Sequence, residues 1–201
     1  MNKRLNSDAR KLQIIEAAAA VFARKGFYQA SMDDIVQESG LSKGGLYWHF
    51  KSKDDIITAV LEQFFTAEFA EISELLTAPI PASEKIRLLI MQMMTDTLEE
   101  LSAYLSIWLE VYAVASREEI FRSRILMYMQ QFIGLFATLI QQGIDDGEFH
   151  AVNTHEAATL VSAQLEGLIL YWAVAPKTID LLKLSETAVA LFLTGLRNHV
   201  Q

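Results

Sequence analysis

Apolar residues recur every three or four positions along almost the whole chain, which is the spacing of one face of an α-helix. Only three prolines occur among the 201 residues, and two of them, Pro79 and Pro81, lie almost together. Few positions therefore interrupt the helical pattern. Alternation of apolar and polar residues, which is typical of a half-buried strand, is rare. The sequence predicts an all-α fold.

Turn and capping residues divide this pattern into about nine helices. Ser31 with Asp34, and Ser52 with Asp55, have the spacing of capping boxes. The predicted helices cover about residues 8–25, 31–38, 42–49, 52–77, 83–100, 103–116, 118–146, 154–173 and 185–200. This order predicts a three-helix head followed by an antiparallel helical bundle.

The net charge of −8 is divided unevenly along the chain. Residues 1–51 hold eight Lys and Arg against five Asp and Glu, which gives +3, whereas the remainder holds nine against twenty, which gives −11. A basic segment attracts a polyanion and an acidic one repels it. We therefore predict a DNA-binding domain at 1–51 and a second domain at 52–201, with residues 52–77 as the connecting helix.

Composition also bears on the cellular compartment. The chain has no cysteine, so disulfides and thiolate metal ligands are excluded. No apolar stretch follows the basic N-terminal residues Lys3 and Arg4, so we predict no signal peptide and a cytoplasmic protein. The uncharged run 125–144 is long enough to span a bilayer. Glutamines interrupt it at helical spacing, so we expect a buried helix and no membrane contact.

Few residues have the spacing that catalysis or metal binding requires. The four histidines are scattered, at positions 49, 150, 155 and 199. His150 and His155 are five residues apart, which is poor spacing for one helical face. The sequence has no glycine-rich phosphate loop, serine elbow or paired catalytic carboxylates. We predict that the chain is not an enzyme and has neither a metal site nor a cofactor.

The second and third predicted helices have the proportions of a helix-turn-helix, since both are short and the tripeptide Ser39-Gly40-Leu41 separates them. Ser31 and Ser42 stand where the N-termini of these helices can meet phosphates. Lys43 and Lys51 supply cations for the same purpose.

Two adjacent glycines, Gly44 and Gly45, follow in the third helix. Glycine is unfavourable inside so short a helix, and core packing alone would not select it. Because these two positions have no side chains, the helix backbone can approach base edges in the major groove.

This region resembles the DNA-binding head of the TetR (tetracycline repressor) family of transcriptional regulators. The matching stretches are residues 14–18, 21–27, 31–35 and 39–54. They total 33 of the 201 residues, about a sixth of the chain, and their Leu-Tyr-x-His-Phe-x-x-Lys core is specific.

The resemblance implies a role for each matching position. Tyr47 and Lys53 fall where the family contacts the DNA backbone, with His49 in the same tract. The short run from Ser42 to Gly45 faces the bases. Trp48 packs in the core or contacts the edge of the DNA, and these two roles are left open. The predicted DNA-binding residues are Ser31, Ser42, Lys43, Gly44, Gly45, Tyr47, Trp48, His49, Lys51 and Lys53.

For the second domain, the resemblance implies ligand binding and dimerisation. The last two helices are expected to form a four-helix interface with a second copy, and the alternative is that their apolar residues are internal core only. The residues proposed for that interface are Ala157, Ala158, Val161, Leu165, Leu168, Ile169, Val189, Phe192, Leu193 and Leu196. Gly167 and Gly195 would permit close approach of two helices.

Aromatic, methionine and polar residues on the middle helices are the candidates for an apolar cavity. The predicted ligand-binding residues are Met91, Met94, Tyr104, Trp108, Tyr112, Phe121, Met129, Phe132, Gln164 and Trp172. The alternative for each of them is ordinary core packing. The expected ligand is an apolar or amphipathic small molecule.

These features predict a repressor that binds double-stranded operator DNA as a homodimer and is released by a small-molecule inducer. Two alternatives stay open, namely a DNA-binding regulator without a ligand and a transcriptional activator.

Overall fold

A computed structural model describes the backbone of residues 2–198 and the side chains of residues 7–63, 75–98, 109, 112, 113, 115–119 and 121–198. Its helices are α1 (Asn2–Lys25), α2 (Met32–Ser39), α3 (Lys43–His49), α4 (Lys53–Thr77), α5 (Ala82–Ala115), α6 (Glu119–Asp145), α7 (Thr154–Val174) and α8 (Leu181–Leu196). An isolated β-bridge joins Phe149 and Arg197. The all-α prediction is confirmed.

One long helix, α5, takes the place of the two helices predicted over 83–100 and 103–116. Neither proline nor glycine occurs between Ala82 and Ala115. The polar Ser102 interrupts the apolar pattern, but serine is tolerated inside a helix at a cost of about 0.5 kcal/mol. The backbone therefore continues through the predicted break.

Two helix starts differ from the prediction. Asn153, rather than Thr154, caps α7, because its side-chain oxygen accepts hydrogen bonds from two backbone N–H groups of the first turn. Asp180 caps α8, which begins at Leu181, ahead of the predicted start at Ser185. Leu181 is buried in the core, so the first turn of α8 gains apolar burial that the capping pattern alone does not reveal.

The chain folds as two compact units. The first consists of residues 1–67 and 100–125, and the second of residues 68–99 and 126–201. Three helices, α4, α5 and α6, contribute residues to both units, so neither unit is one continuous stretch. The functional division between residues 51 and 52 stays a prediction.

The first unit is built around apolar side chains of its N-terminal helices. The edge of the Phe27 ring contacts Phe22 and Phe121, with ring centroids 5.5 and 5.9 Å apart. These contacts extend a core whose fully or almost fully buried side chains include Ile14, Ala18, Phe22, Ile35, Leu46, Phe50, Ile56 and Ile57. The head helices are thus held by apolar burial.

The second unit has one core to which α5, α6, α7 and α8 all contribute. The uncharged run 125–144 lies in α6 and supplies several of its residues, as expected for a buried helix. The core side chains are Ala82, Ile86, Leu89, Ile90, Met94, Leu135, Phe136, Leu139, Ile140, Phe149, Ala157, Ala158, Val161, Leu165, Leu181, Val189, Leu193 and Leu196.

A tight turn after α6 brings the chain back onto that helix. Gly147 has a φ of +78°, in the left-handed region that favours glycine. The backbone N–H of Phe149 donates to the carbonyl of Gly143 at 3.0 Å. The buried Phe149 ring lies directly against Gly143, where a Cβ atom would overlap it.

Two polar side chains join the helix ends of the second unit. The Glu148 carboxylate accepts hydrogen bonds from the backbone N–H groups of Ala82 at 2.6 Å and Ser83 at 3.2 Å, so it caps α5. The ammonium of Lys85, only 2% exposed, donates to the Leu76 carbonyl at 2.8 Å near the end of α4. Charged groups placed in this way complement the partial charges of helix termini.

Replacing Gly143 with alanine should destabilise the protein by about 1–3 kcal/mol, because a Cβ atom has no room beside Phe149. Gly134→Ala is the matched control in the same helix, where an added Cβ meets nothing within 4 Å. It should stabilise by about 0.5–1 kcal/mol, since alanine is the better helix former. Urea unfolding followed by circular dichroism measures both values. Equal stability of the two variants would contradict this packing.

Candidate nucleic-acid interface

The turn between α2 and α3 has the conformation that a helix-turn-helix needs. Gly40 ends α2 with a φ of +66°. The carbonyl of Ser39 accepts a hydrogen bond from the Gln13 side chain at 2.8 Å, which fixes the turn against α1. The predicted turn residue is thus at the helix end, where a left-handed conformation allows the chain to reverse.

A complete capping box begins α2, as the sequence predicts. The N–H of Asp34 donates to Ser31 Oγ at 3.2 Å, and the N–H of Ser31 donates to Asp34 Oδ2 at 3.0 Å. Lys25 Nζ lies 2.6 Å from Asp34 Oδ1. The hydrogen bond from Lys25, followed by those from Ser31, lowers the pKa of Asp34 from 3.8 to about 2. This carboxylate therefore stays ionised through mildly acidic pH.

Ser42 caps α3, and the second and third residues of this helix are glycines. Ser42 Oγ accepts a hydrogen bond from the N–H of Gly45 at 3.1 Å. A Cβ atom at Gly45 would lie 3.3 Å from this hydroxyl, whereas one at Gly44 would meet nothing within 4 Å. The open space at Gly44 leaves the helix backbone accessible from outside.

The rest of α3 has one buried and one exposed side. Leu46 is fully buried and Phe50, just after the helix, is 5% exposed, so both pack beneath it. Tyr47 is half-buried. Trp48 is 67% exposed, so of the two roles left open by the sequence, core packing is wrong. Its ring meets that of His49 edge-on, with centroids 4.5 Å apart.

His49 lies beside basic residues of α1. Partial burial, then the positive charges of Lys11 and Arg10, lower the pKa of His49 below its ordinary value, and Asp8 opposes this effect. The imidazole is therefore mostly neutral at neutral pH. A neutral imidazole can still donate one hydrogen bond to a phosphate.

The predicted cations each have a partner within the head. Lys43 Nζ lies 2.7 Å from Asp33 Oδ1 on α2, which raises the pKa of Lys43. Lys51 Nζ donates to the Tyr47 carbonyl at 2.7 Å. Lys43 and Lys51 are themselves exposed to water, so both ammonium groups are positioned without being buried.

Lys53 is turned into the head. Its ammonium donates to the carbonyl oxygens of Phe27, Tyr28 and Ala30 and lies 4.4 Å from the centroid of the Phe27 ring. These contacts link the beginning of α4 to the loop before α2. Lys53 therefore has a structural role, which the predicted contact with the DNA backbone did not suggest.

The ten predicted DNA-binding residues thus lie on or beside α2 and α3, and their contact with DNA stays a prediction. The sequence did not predict a role for Asp33. An acidic residue in the first turn of a helix is common, so its position alone gave no sign that it pairs with Lys43 ten residues later.

The predicted ligand-binding residues do not form one described cavity. The side chains of Tyr104 and Trp108 lie outside the described residues. Phe121 is buried against Phe27 in the first unit, and Tyr112 is exposed. In the second unit Met94 is buried, Gln164 is exposed, and Met91, Met129, Phe132 and Trp172 are half-buried.

The second unit has an open groove of about 590 Å³ beside the end of α6. Most of its lining residues have polar side chains, two of them acidic, and none is a predicted ligand-binding residue. The lining residues are Ala137, Thr138, Gln141, Gln142, Asp145, Asp146 and Thr154.

For most of the residues predicted at the dimer interface, that prediction is wrong and the alternative, internal core, holds. Seven of those residues lie in the core of the second unit, and Leu168, Ile169 and Phe192 are half-buried against it. Helical spacing identifies an apolar face but does not say what covers it. The large apolar side chains exposed on α7 and α8 are instead Leu160, Leu170, Tyr171, Val174, Leu184 and Leu191.

Helix α7 is also long and apolar enough to cross a membrane, the one such helix found in the described part of the chain. Length and composition are weak support for a membrane span.

Gly167 and Gly195, which the sequence suggested for close helix approach, have open space at their Cβ positions.

Two family models match the chain. The model of bacterial regulatory proteins of the tetR family matches residues 14–60, and that of the C-terminal domain of BetI-type transcriptional repressors matches residues 82–197. The uncharacterised helix-turn-helix transcriptional regulator YfiR of Bacillus subtilis is 30% identical over 148 residues, which are 73% of this chain and 71% of that protein.

Solved structures share the fold at lower identity. The transcriptional regulator FadR from Bacillus subtilis, in complex with stearoyl-CoA, has a TM-score of 0.81 at 22% identity, over 92% of this chain and 99% of that one. A proposed transcriptional regulator from Saccharomonospora viridis, in complex with choline, has a TM-score of 0.82 at 24% identity, over 96% of this chain and 100% of that one.

Asp34→Asn should lower stability at neutral pH and flatten its dependence on acid. The Asp34 pKa is 3.8 ordinarily and about 2 in the folded protein, so the ionised carboxylate stabilises the fold above about pH 4. That contribution is lost as the pH falls from about 4 towards 2. Urea unfolding at several pH values measures the difference between wild type and variant. A difference that does not shrink across this window would contradict the assignment.

Proposed function

Because this chain belongs to the TetR family of bacterial transcriptional regulators, we propose that it is a repressor that binds operator DNA as a homodimer and is released by a small-molecule ligand. In this proposal residues 1–51 bind DNA and residues 52–77 form the helix that connects the two domains. The remainder of 52–201 binds the ligand and dimerises. As a member of this family the chain is a DNA-binding regulator and not an enzyme. We expect it to act in the cytoplasm.

The observation that supports DNA binding most strongly is the glycine at position 44. The backbone there is ordinary helix, and an alanine would meet no atom within 4 Å. Neither conformation nor packing inside the chain therefore requires glycine, although glycine costs a helix about 1 kcal/mol. Close approach of an external partner accounts for it. A major groove suits this helix, since it admits an α-helix to the base edges.

In the proposed complex, Ser31 and Ser42 place helix N-termini near phosphates, and the stretch from Lys43 to Gly45 meets the bases. The exposed ring of Trp48 contacts the edge of the DNA. The remaining proposed contacts are made by Tyr47, His49, Lys51 and Lys53. Because Lys53 already donates to three carbonyls, we propose that it acts mainly by holding the adjoining loop beside a phosphate.

The exposed apolar side chains of α7 and α8 support the proposed dimer. Leu160 is 69% exposed, Val174 78% and Leu191 68%, and large apolar patches on soluble proteins mark contact surfaces. A second copy seated on this face would cover it without a membrane. Two-fold symmetry would also present two copies of α3, the proposed recognition helix, to successive major grooves.

The proposed ligand is an apolar or amphipathic small molecule. The structural neighbours bound to stearoyl-CoA and to choline support a ligand site in this fold. The proposed lining residues are Met91, Met94, Tyr104, Trp108, Tyr112, Phe121, Met129, Phe132, Gln164 and Trp172. Half-buried methionine and aromatic side chains, such as Met129 and Trp172, can adapt to an apolar ligand.

Gly44→Glu should abolish operator binding without lowering stability. The new side chain meets no atom near its Cβ, glutamate suits the first turn of a helix, and its carboxylate repels phosphates. Mobility shifts with genomic fragments, beginning with the chain's own upstream region, measure binding at moderate and high salt. Gln130→Glu, at an exposed site of α6, is the control with the same change in charge.

Binding by wild type and Gln130→Glu, but not by Gly44→Glu, would support the proposed interface. A wild type that binds no fragment at any salt would overturn it. The bound fragment then serves to test the ligand, with stearoyl-CoA and choline titrated as probes. Release by an amphipathic probe would support the inducer proposal, whereas a complex unchanged by both would count against these two chemistries.

Leu191→Glu should convert a dimer into a monomer of 22.6 kDa, because a carboxylate would be buried in the apolar interface. Light scattering after gel filtration measures the mass. Leu126→Glu, 48% exposed on α6, is the control and should leave the dimer intact. A wild type with the monomer mass would contradict the proposed interface.

A further inference from the structure

The acidic residues of α2 each have a basic partner, but the partners differ in location. Asp34 pairs with Lys25 at 2.6 Å and Glu38 with Arg24 at 2.8 Å, both on α1. Asp33 pairs with Lys43 at 2.7 Å, and Lys43 is the first residue of α3. Among these three pairs, only that of Asp33 engages a residue of the proposed recognition helix.

The Asp33–Lys43 pair has little value for folding. The two side chains are 71% and 63% exposed, and an ion pair so open to water stabilises a protein only weakly. Asp33 also places a negative charge beside a surface that is proposed to meet phosphates. Repulsion between like charges would weaken DNA binding, so the carboxylate calls for a reason other than stability.

We infer that Asp33 is a specificity-determining residue, which tethers Lys43 so that it serves base recognition and not general attachment to phosphates. This inference rests on the proposed function, since it requires that α3 meets DNA.

The chemistry of the lysine ammonium explains how a tether could do this. An ammonium has three N–H donors and no acceptor. One donor is directed to Asp33 Oδ1, which leaves two for acceptors on the DNA. Guanine presents two such acceptors, O6 and N7, in the major groove. A tethered lysine can reach acceptors at one place, whereas a free lysine can follow the phosphate backbone.

The pairing with Asp33 also weakens the sequence-independent attraction of Lys43 to phosphates. Sequence-independent affinity comes from cations that neutralise phosphates and release counterions. While Asp33 neutralises Lys43, that lysine contributes little to sequence-independent affinity. Building a penalty against the wrong partner raises specificity even when it adds nothing to the right one.

Asp33→Asn tests the inference by freeing Lys43. Affinity for a scrambled duplex should rise severalfold, because the freed ammonium can neutralise one more phosphate. The slope of log affinity against log salt should become steeper by about 0.9, the change expected when one more phosphate is neutralised. Operator affinity should change less, so the ratio of operator to scrambled affinity should fall. Fluorescence anisotropy with duplexes of equal length and composition measures these values.

Two further variants separate tethering from a simple change in net charge. Glu38→Gln removes the same charge from the same helix, but its partner is Arg24, so the affinity ratio should stay at the wild-type value. In a Lys43→Gln background, Asp33→Asn should have no effect on the ratio. Thermal melts of every variant establish that α2 and α3 remain folded.

The outcomes distinguish this inference from the function on which it rests. A wild type that prefers its operator, with an Asp33→Asn ratio that is unchanged, overturns the tether and leaves the proposed function standing. The tether is equally overturned if Glu38→Gln lowers the ratio as much, or if the effect of Asp33→Asn persists without Lys43. A wild type that binds operator and scrambled duplex alike overturns the proposed function and this inference together.

Discussion

Burial of Leu46 and Phe50 is the interaction on which the candidate interface depends. Helix α3 has only seven residues, and isolated helices shorter than about 12 residues are marginal in water. Leu46 is 0% exposed and Phe50 5% exposed, so their burial holds α3 on the head. The Ser42 cap and the left-handed turn at Gly40 set where the helix begins. This burial offsets the cost of glycine on the opposite side of α3.

Polar contacts within the head organise this surface before any partner arrives. Lys53 holds three carbonyls of the loop that precedes α2, and Asp34 completes the cap of α2 while it pairs with Lys25. Lys43 and Lys51 are also positioned by neighbours within the head. Ordering these side chains in the free protein reduces the conformational entropy that binding must remove. The arrangement therefore favours a specific geometry over simple attraction between opposite charges.

Much of the fold and of the candidate site could be predicted, because both depend on local patterns. The capping boxes at Ser31 and Ser52, the turn at Gly40 and the all-α fold follow from residues close together in the chain. Local patterns also explain the errors. A weak break at Ser102 could not show that α5 continues, and the apolar spacing of α7 could not show which of its faces meets the core of its own unit.

The sequence by itself determined the all-α class, the positions of most helices, the helix-turn-helix proportions, the basic head and the resemblance to a regulator family. Each of these features depends on residues close together in the chain or on composition. Only the tertiary structure decided that Glu148 caps α5 from 66 residues away, and that Lys53 donates to the Ala30 carbonyl from 23 residues away. The tertiary structure likewise decided that Trp48 is exposed and that Asp33 pairs with Lys43. Such contacts depend on how helices pack, and no local spacing rule specifies which distant side chains that packing brings together.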